Sequence, residues 1–492
     1  MNYFILVLVS IFALIFLYNL AKLSTKKLPP GPSPWPIIGN IHLLGAKPHV
    51  SLANLAKKYG PIMSLKLGQI TTVVISSSPI AKQVLKTQDQ AFSSRFVPNA
   101  LQAHNHYKFS VAWLPVCPQW RMLRRILNTN LLSSNRVDAN QHLRSQKVKE
   151  LIAYCEKCCQ QGEAVDVGQI VFKTNLNLVS NTLFSKDLVD LCSDLKLELT
   201  DAILSIVDVA GKINLVDYFP ILEKIDPQRM RYRTNIYFGK LNKLFGDMTN
   251  ERLEEKKTNQ SEKSDILQVL LNYSIENPQE MDQNYVNSTL LDLFVGGIDT
   301  ITSTLEWAMA EILRQPEIMK KVQAELAQVV GKGKPIEEAD VSRLAYLQFI
   351  IKETLRLHPP APFLIPRRVD QDVELCDYII PKGSLVLVNA WAIGRDSSFW
   401  EDALVFKPER FRSLELDMRG KDFELIPFGA GRRTCPGFPL ALRLMPAILG
   451  SMLNSFNWKL EACIEPKDLD MEEKFGVVLV KAHPLRAIPS PL

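Results

Sequence analysis

The chain has 492 residues, 47% hydrophobic and 22% charged, which is ordinary globular composition. That excludes a disordered chain and a multi-span transporter, which would need many long apolar runs. The net charge of +6, from 58 basic and 52 acidic residues, is spread thinly and accompanies no finger or helix motif, so no nucleic-acid partner is expected.

Residues 1–21 carry no charge and are nearly all apolar from Tyr3 onward. As a helix, residues 3–21 would span about 28 Å, close to a bilayer core of ~30 Å. Lys22, Lys26 and Lys27 follow, and positive flanks stay cytoplasmic. The pattern predicts an N-terminal anchor helix with the body in the cytoplasm. A cleaved signal peptide is the alternative, but it would place a basic residue ahead of a shorter apolar core. Residues 22–36 read as a basic flank and a proline-rich hinge, Leu28-Pro-Pro-Gly-Pro-Ser-Pro-Trp-Pro36. Each proline fixes φ and lacks an N–H, so the segment predicts a stiff extended spacer.

Residues 37–492 read as one large domain, mainly α with small β-sheets. Lys66–Ser76 predicts two short strands around Gly68. From Arg121 to Val330 apolar residues recur at spacings of three and four, which predicts helices. Cys155, Cys158 and Cys159 lie in that helical stretch and read as structural cysteines, with a metal or redox role as the alternative. The charged run 251–265 predicts an exposed connection. Tyr285–Leu313 predicts a long helix containing Gly296-Gly297, and Val341–His358 another that Pro359-Pro360 stops. Strands are expected at 373–380 and 385–389, and a final helix at 440–456.

Three local patterns suggest chemistry. Phe428-Gly-Ala-Gly-Arg-Arg-Thr-Cys-Pro-Gly437 places Cys435 among glycines and arginines just before a helix. The positive helix end and the arginines favour a thiolate, and glycines let the backbone approach a flat partner. This reads as a ligating or reactive cysteine, with an ordinary turn cysteine as the alternative. Glu353 and Arg356 share a helix face at i,i+3, flanked by Leu355 and Leu357, and Arg410 offers another guanidinium. In Gly296-Gly-Ile-Asp-Thr300, two glycines cost roughly 0.8–1 kcal/mol each against alanine. They make room for a bulky neighbour or mark a tight helix crossing. Asp299 and Thr300 set an acid and a hydroxyl beside them.

Taken together, the Phe428/Gly431/Arg433/Cys435/Gly437 loop, Glu353-Thr-Leu-Arg356, Pro408-Glu-Arg-Phe411 and Gly296-Gly-Ile-Asp-Thr300 resemble a microsomal plant cytochrome P450. Trp120-Arg-Met-Leu-Arg124 resembles the family's haem-contacting helix, and the proline segment its hinge. The likeness runs from the anchor to Leu492. It implies a cytochrome P450 fold behind a single transmembrane helix of the endoplasmic reticulum, with haem b (iron protoporphyrin IX) as cofactor and O2 as co-substrate. Electrons would come from NADPH through NADPH-cytochrome P450 reductase. Cys435 would be the iron's axial ligand. Trp120, Arg124, Arg367 and Arg433 would hold the propionates, with Phe428 near the sulfur. Asp299 and Thr300 would relay protons to oxygen, with Gly297 leaving room for it. Glu353, Arg356 and Arg410 would support the cysteine loop.

Stretches such as LKLGQITTVVISSSPIAK, FSSRFVPNALQAHN and KDLDMEEKFG are more specific and resemble the plant geraniol 8-hydroxylase (geraniol 10-hydroxylase) group. That group oxidises an allylic methyl of a monoterpene alcohol, an early step toward iridoids. The resemblance implies a small lipophilic substrate, most of all geraniol at C8. Expected pocket residues are Trp113 in the lid segment 97–115, then Phe294, Ile298, Ile301, Phe363, Leu364 and Val477. The chain departs from the group's Ala-Gly-Thr-Asp-Thr-Thr pattern at Ile298 and Ile301, which are expected to make the haem face more apolar. Cys117-Pro118 departs in the lid region. The alternatives are the same chemistry on a diterpenoid, alkaloid or phenolic compound, a haem isomerase or dehydratase needing no reductase, and a haem-binding protein without turnover.

Overall fold

The architecture was obtained as a computed structural model, which describes residue 10 and residues 27–492 except 132, 193–197, 258–264 and 462–463. The expected anchor, residues 1–21, therefore lies outside the described residues apart from Ser10. Among the described residues no helix is long and apolar enough to cross a membrane.

Helices make up most of the body. In chain order the longer ones are α1 (Pro48–Tyr59), α2 (Pro118–Ile126), α3 (Gln141–Gln161), α4 (Val167–Phe184), α5 (Glu198–Gly211), α6 (Met230–Lys257), α7 (Ile266–Glu276), α8 (Gln283–Arg314), α9 (Pro316–Val329), α10 (Ala345–Leu357) and α11 (Phe438–Ser455). The expected connection at 251–265 is helical at its start, because α6 continues to Lys257. The helix expected from 341 begins at Ala345, after a short helical turn at Glu338–Val341.

One mixed sheet holds β1 (Ile62–Leu67), β2 (Ile70–Ile75), β3 (Ser94–Arg95), β4 (Arg367–Arg368) and β7 (Leu385–Val388), in the order β1-β2-β7-β4-β3. Between β4 and β7 in the chain, β5 (Val373–Leu375) and β6 (Tyr378–Ile380) form a separate hairpin. Among the described residues only β2 and β7 pair in parallel. Val73, Val74, Ile75 and all of β7 are buried, as expected for a strand pair covered on both faces. The proline segment lies against this sheet: the Ser64 N–H and hydroxyl donate to the carbonyls of Pro30 (2.9 Å) and Pro29 (2.6 Å). It is thus docked on β1 rather than standing free of the body.

The central element is α8, 32 residues long, or about 48 Å. Asp282 caps it by accepting the N–H groups of Asn284 and Tyr285, and Pro316 ends it. The helix runs unbroken through Gly296-Gly297. Phe294, Ile298, Ile301 and Leu305 recur at spacings of three and four on one buried stripe. Ile301 and Leu305 share a core with Val171 and Leu178 of α4, and Phe294 and Ile298 share one with Leu176 and Val179 of the same helix. Ile301 and Leu305 share a core with Leu355 of α10 and Ala441 and Leu444 of α11. That core sets α8, α10 and the Cys435 loop in fixed relation.

Candidate active site

The loop before α11 is shaped by backbone constraints. Gly431 has φ +69°, and a Cβ there would lie 2.0 Å from the Leu85 carbonyl oxygen, so only glycine fits. The Cys435 N–H donates to the Phe428 carbonyl at 2.9 Å and closes the loop. The Phe428 ring packs edge-on to Phe438, with centroids 4.9 Å apart. Cys435 itself is exposed, yet desolvation pushes its thiol pKa up. The N–H groups of Gly437 and Phe438 and the charge of Arg124 pull the other way, toward thiolate.

Four arginines form a cluster that reaches the sulfur through Arg124. Burial lowers the pKa of Arg95, Arg124, Arg367 and Arg433, to about 10 for Arg367 and about 9 for Arg433. The charges of Arg124, Arg367 and Arg433 depress Arg95 further. Arg95 is absent from the sequence expectations. It sits directly opposite Arg367 in the β3–β4 pair, where like charges oppose pairing. Its Nε is buried without a hydrogen-bond partner among the described residues. Arg433 donates to the carbonyls of Ser93, Val111 and Leu114, and its guanidinium lies 4.7 Å from the Trp120 ring. Trp120 differs from expectation. Its one donor, Nε1–H, is spent on the Val111 carbonyl at 3.1 Å, so it serves as a platform for Arg433 and Arg124. Cys117 caps α2, its sulfur accepting the Trp120 N–H, and Pro118 is the helix's first residue.

On α8, Gly296 is exposed and a Cβ there would meet nothing within 4 Å. A Cβ on Gly297 would instead meet Val179 at 3.3 Å, and Asn175 of α4 donates to the Gly297 and Ile298 carbonyls. The open position belongs to Gly296, and Gly297 is the helix-crossing glycine. The Thr300 hydroxyl, one turn on from Gly296, donates to the Gly296 carbonyl at 3.0 Å and keeps its lone pairs free. Asp299 is buried with no side-chain partner among the described residues, and burial raises its pKa to about 7.

That shift has a stability consequence. The folded-state pKa lies above the ordinary value of 3.8, so the contribution is full below about pH 4 and is lost as pH rises through about 7. Replacing Asp299 with asparagine removes this loss, worth a few kcal/mol. The melting temperature of the variant relative to the parent should climb between about pH 4 and pH 7 and level off above. A constant difference would show that the charged form is not penalised.

Around these groups, Phe363 is buried edge-on to Phe475, and Leu364 adopts φ 55° with its side chain 3.8 Å from the Cβ position of Gly429. Val477 is exposed, in a turn whose backbone abuts Gly211 of α5. Ser303 of α8 holds that turn through the Leu479 carbonyl at 2.6 Å. Trp113 is partly buried. Behind the loop, Glu353 accepts from both Arg356 and Arg410, and all three are buried.

The cytochrome P450 family profile matches residues 29–486. The chain is a cytochrome P450. It is 63% identical to the geraniol 8-hydroxylase of Catharanthus roseus over the full length of both chains. It is 62% identical to that of Swertia mussotii, covering 96% of each. It is 52% identical to the geranylhydroquinone 3''-hydroxylase of Arnebia euchroma, covering 97% of this chain and 96% of that one. The enzyme is therefore a haem- and O2-dependent monooxygenase of mostly helical fold.

The residues present fit haem. A sulfur supported by two backbone N–H groups suits an axial thiolate. Buried guanidiniums with an unpartnered Nε suit two carboxylates, since burying unpaired charge is costly and an anionic ligand removes the cost. Haem, when bound, supplies the oxygen chemistry, and thiolate donation favours O–O cleavage. Arg95 joins Arg124, Arg367 and Arg433 as a candidate for holding the propionates.

The expected pocket requires a correction. Phe294 and Ile298 are fully buried and Ile301 nearly so. Phe294 packs with Phe245 and Phe184, at 5.5 and 6.5 Å between centroids. The stripe 294–298–301 faces α4 and the core, whereas positions 292, 296 and 300 face the opposite side. The isoleucines therefore do not make the haem face more apolar. Replacing Ile298 or Ile301 with threonine should cost stability, about 1–3 kcal/mol each, by burying a hydroxyl in a packed core. Product identity and KM should stay unchanged. A changed product with an unchanged melting temperature would place these residues back in the pocket.

Proposed function

We propose that this cytochrome P450 hydroxylates geraniol at its allylic C8 methyl, giving 8-hydroxygeraniol. The observation that carries the reading is the 62–63% identity to two geraniol 8-hydroxylases over essentially the whole chain. The apolar surroundings of the site, with Phe363, Leu364 and the 475–479 turn, suit a small lipophile. The geranyl chain in the name of the Arnebia euchroma relative is consistent with a site that takes prenyl groups. An allylic C–H bond is weak, so positioning within about 1 Å of the reacting centre selects the carbon.

In this reading the Cys435 thiolate holds the haem iron, and the four arginines orient the haem. Asp299, with a pKa near neutrality, can exchange protons at working pH. Thr300 passes them toward oxygen with the lone pairs that its bond to Gly296 leaves free. Replacing Thr300 with alanine should leave haem bound and NADPH oxidation running, while product per NADPH falls roughly tenfold and hydrogen peroxide rises. Unchanged coupling would remove Thr300 from the relay.

Residues 1–21 would anchor the chain in the endoplasmic reticulum, residues 22–36 would form the hinge, and residues 37–492 the catalytic domain. NADPH-cytochrome P450 reductase would supply electrons. A membrane-facing surface is supported by Trp35, Ile37, Ile221 and Ile225, exposed at 59%, 66%, 81% and 71%. The β1–β2 turn joins their two segments, since the Gly68 N–H donates to the Ile38 carbonyl and the Gln69 N–H to that of Tyr218. Exposed apolar clusters of this kind mark membrane or protein contacts.

The test is product identification from geraniol with the full chain, a plant reductase and NADPH, after the carbon monoxide band at about 450 nm has confirmed the haem thiolate. A single product, 8-hydroxygeraniol, supports the reading. Spectrally intact enzyme that forms none overturns it.

A further inference from the structure

Asp292 lies on the open face of α8, two turns before Thr300, or about 12 Å along the helix axis. Among the described residues its carboxylate meets no lysine or arginine. It collects donors from the lid: His106 Nε2 at 2.9 Å, the Ser110 hydroxyl at 2.7–2.8 Å and the Ala112 N–H at 3.3 Å. Ser110, His106 and the Asp292 side chain are all nearly buried. The contact requires the proton on Nε2 of His106. The same lid turn is fixed from its other side. Trp120 Nε1 and Arg433 donate to the Val111 carbonyl, and Arg433 also donates to that of Leu114. Residues 110–114 are therefore stretched between the α8 carboxylate and the arginine cluster, and they carry Trp113. Further out, His104 and Asn105 take positive φ at a kink, and His104 Nε2 meets the Asn235 carbonyl of α6 at 2.9 Å.

We propose that Asp292 is a positioning residue that clamps the lid over the site and sets where Trp113 sits. It would thereby govern substrate retention and the choice of carbon without touching the reacting atoms. The argument deepens the geraniol reading and rests on it for the product assay. Removing the carboxylate strands two nearly buried donors, His106 Nε2–H and the Ser110 hydroxyl, which then recruit water, while the Ala112 N–H keeps the Ser110 oxygen at 3.1 Å; the lid turn loses its link to α8. The Asp292→Ala variant should raise KM for geraniol about tenfold while kcat falls less than about threefold, and should yield a second hydroxylation product. Asp292→Asn, which keeps one acceptor oxygen, should fall between the two. Ser110→Ala and His106→Gln should move KM the same way. Ser110→Ala added to Asp292→Ala should add nearly nothing, because both cut one link.

An alternative role, direct binding of the substrate hydroxyl, predicts a different pattern. Asp292→Ala would then weaken geraniol but not the hydrocarbon myrcene, and Ser110→Ala would be silent. That outcome overturns the clamp. If Asp292→Ala fails to bind haem, Ser110→Ala and His106→Gln test the same link from outside α8, and unchanged KM and products in both overturn it. A probe independent of turnover separates this proposal from the geraniol reading. Spectral titration with 4-phenylimidazole needs no substrate, and its dissociation should quicken about tenfold in the clamp variants. Equal dissociation rates in parent and variants overturn the clamp whatever the substrate proves to be.

Discussion

Replacing Cys435 with serine should abolish the carbon monoxide band at about 450 nm and lower turnover at least roughly 10³-fold, a loss of about 4 kcal/mol in transition-state stabilisation. The environment explains the size of the effect. The Gly437 and Phe438 N–H groups and the Arg124 charge all act to hold an anion at this position against desolvation. A serine hydroxyl titrates far above a thiol, so the same donors cannot make it an anionic ligand. Serine is nearly isosteric, and Cys435 belongs to none of the packed apolar clusters. The melting temperature of the apoprotein should therefore change little. Haem content by pyridine haemochrome, measured beside the carbon monoxide spectrum, separates a lost ligand from a lost cofactor. A variant that keeps the band would remove Cys435 from the iron.

The features legible in the sequence were local ones. The cysteine loop and the Glu353–Arg356 pair depend on spacings within ten residues, and the chain itself fixes such spacings. The turn at Gly68 and the strand after it were visible because a β-branched run follows a glycine turn, whereas β1 begins at Ile62, four residues ahead of expectation. The failures share a different cause. On α8 the stripe 294–298–301–305 is apolar and the stripe 292–296–300 is Asp, Gly and Thr, so periodicity separates the two faces, but the family motif spans both and its spacing alone does not say which residues border the site. The clue was Gly296, whose missing side chain lies on the same side as Thr300, whereas Ile298, two residues on from Gly296, lies about 200° round the helix. Arg95 was invisible because Ser94-Arg95-Phe96 has no motif spacing to Arg367 or Arg433. Only the β3–β4 register brings Arg95 opposite Arg367. A pairing of like charges breaks a local rule, and such breaks tend to mark functional sites. Asp292 was missed for a similar reason, since its partners come from the lid and not from its own helix.

The second large effect should come from Glu353. Its carboxylate accepts Arg356 Nε and Nη2 at 2.7 Å each, Arg410 Nε at 3.0 Å and the Lys407 N–H at 2.8 Å. One buried anion thus serves two buried guanidiniums. The remaining donors go to carbonyls: Arg356 to Gly394, Ala403 and Val405, and Arg410 to Glu401, Asp402 and Val405. These carbonyls belong to the segment joining β7 to the cysteine loop, so the network ties α10 to the chain that leads to Cys435. Removing one partner of a buried pair costs about 3–5 kcal/mol, and Glu353→Ala leaves two cations uncompensated rather than one. It should therefore destabilise more than Arg410→Ala. The expected result is little folded protein and almost no haem incorporation. Arg356→Lys should not rescue folding, because a single ammonium cannot pair bidentately with Glu353 and also reach three carbonyls. The measurement is circular dichroism melting together with haem bound per folded chain across Glu353→Ala, Arg356→Lys and Arg410→Ala. If Glu353→Ala melted like the parent and loaded haem normally, the carboxylate would not be what compensates the two arginines. The support of the cysteine loop would then have to come from the carbonyl contacts alone.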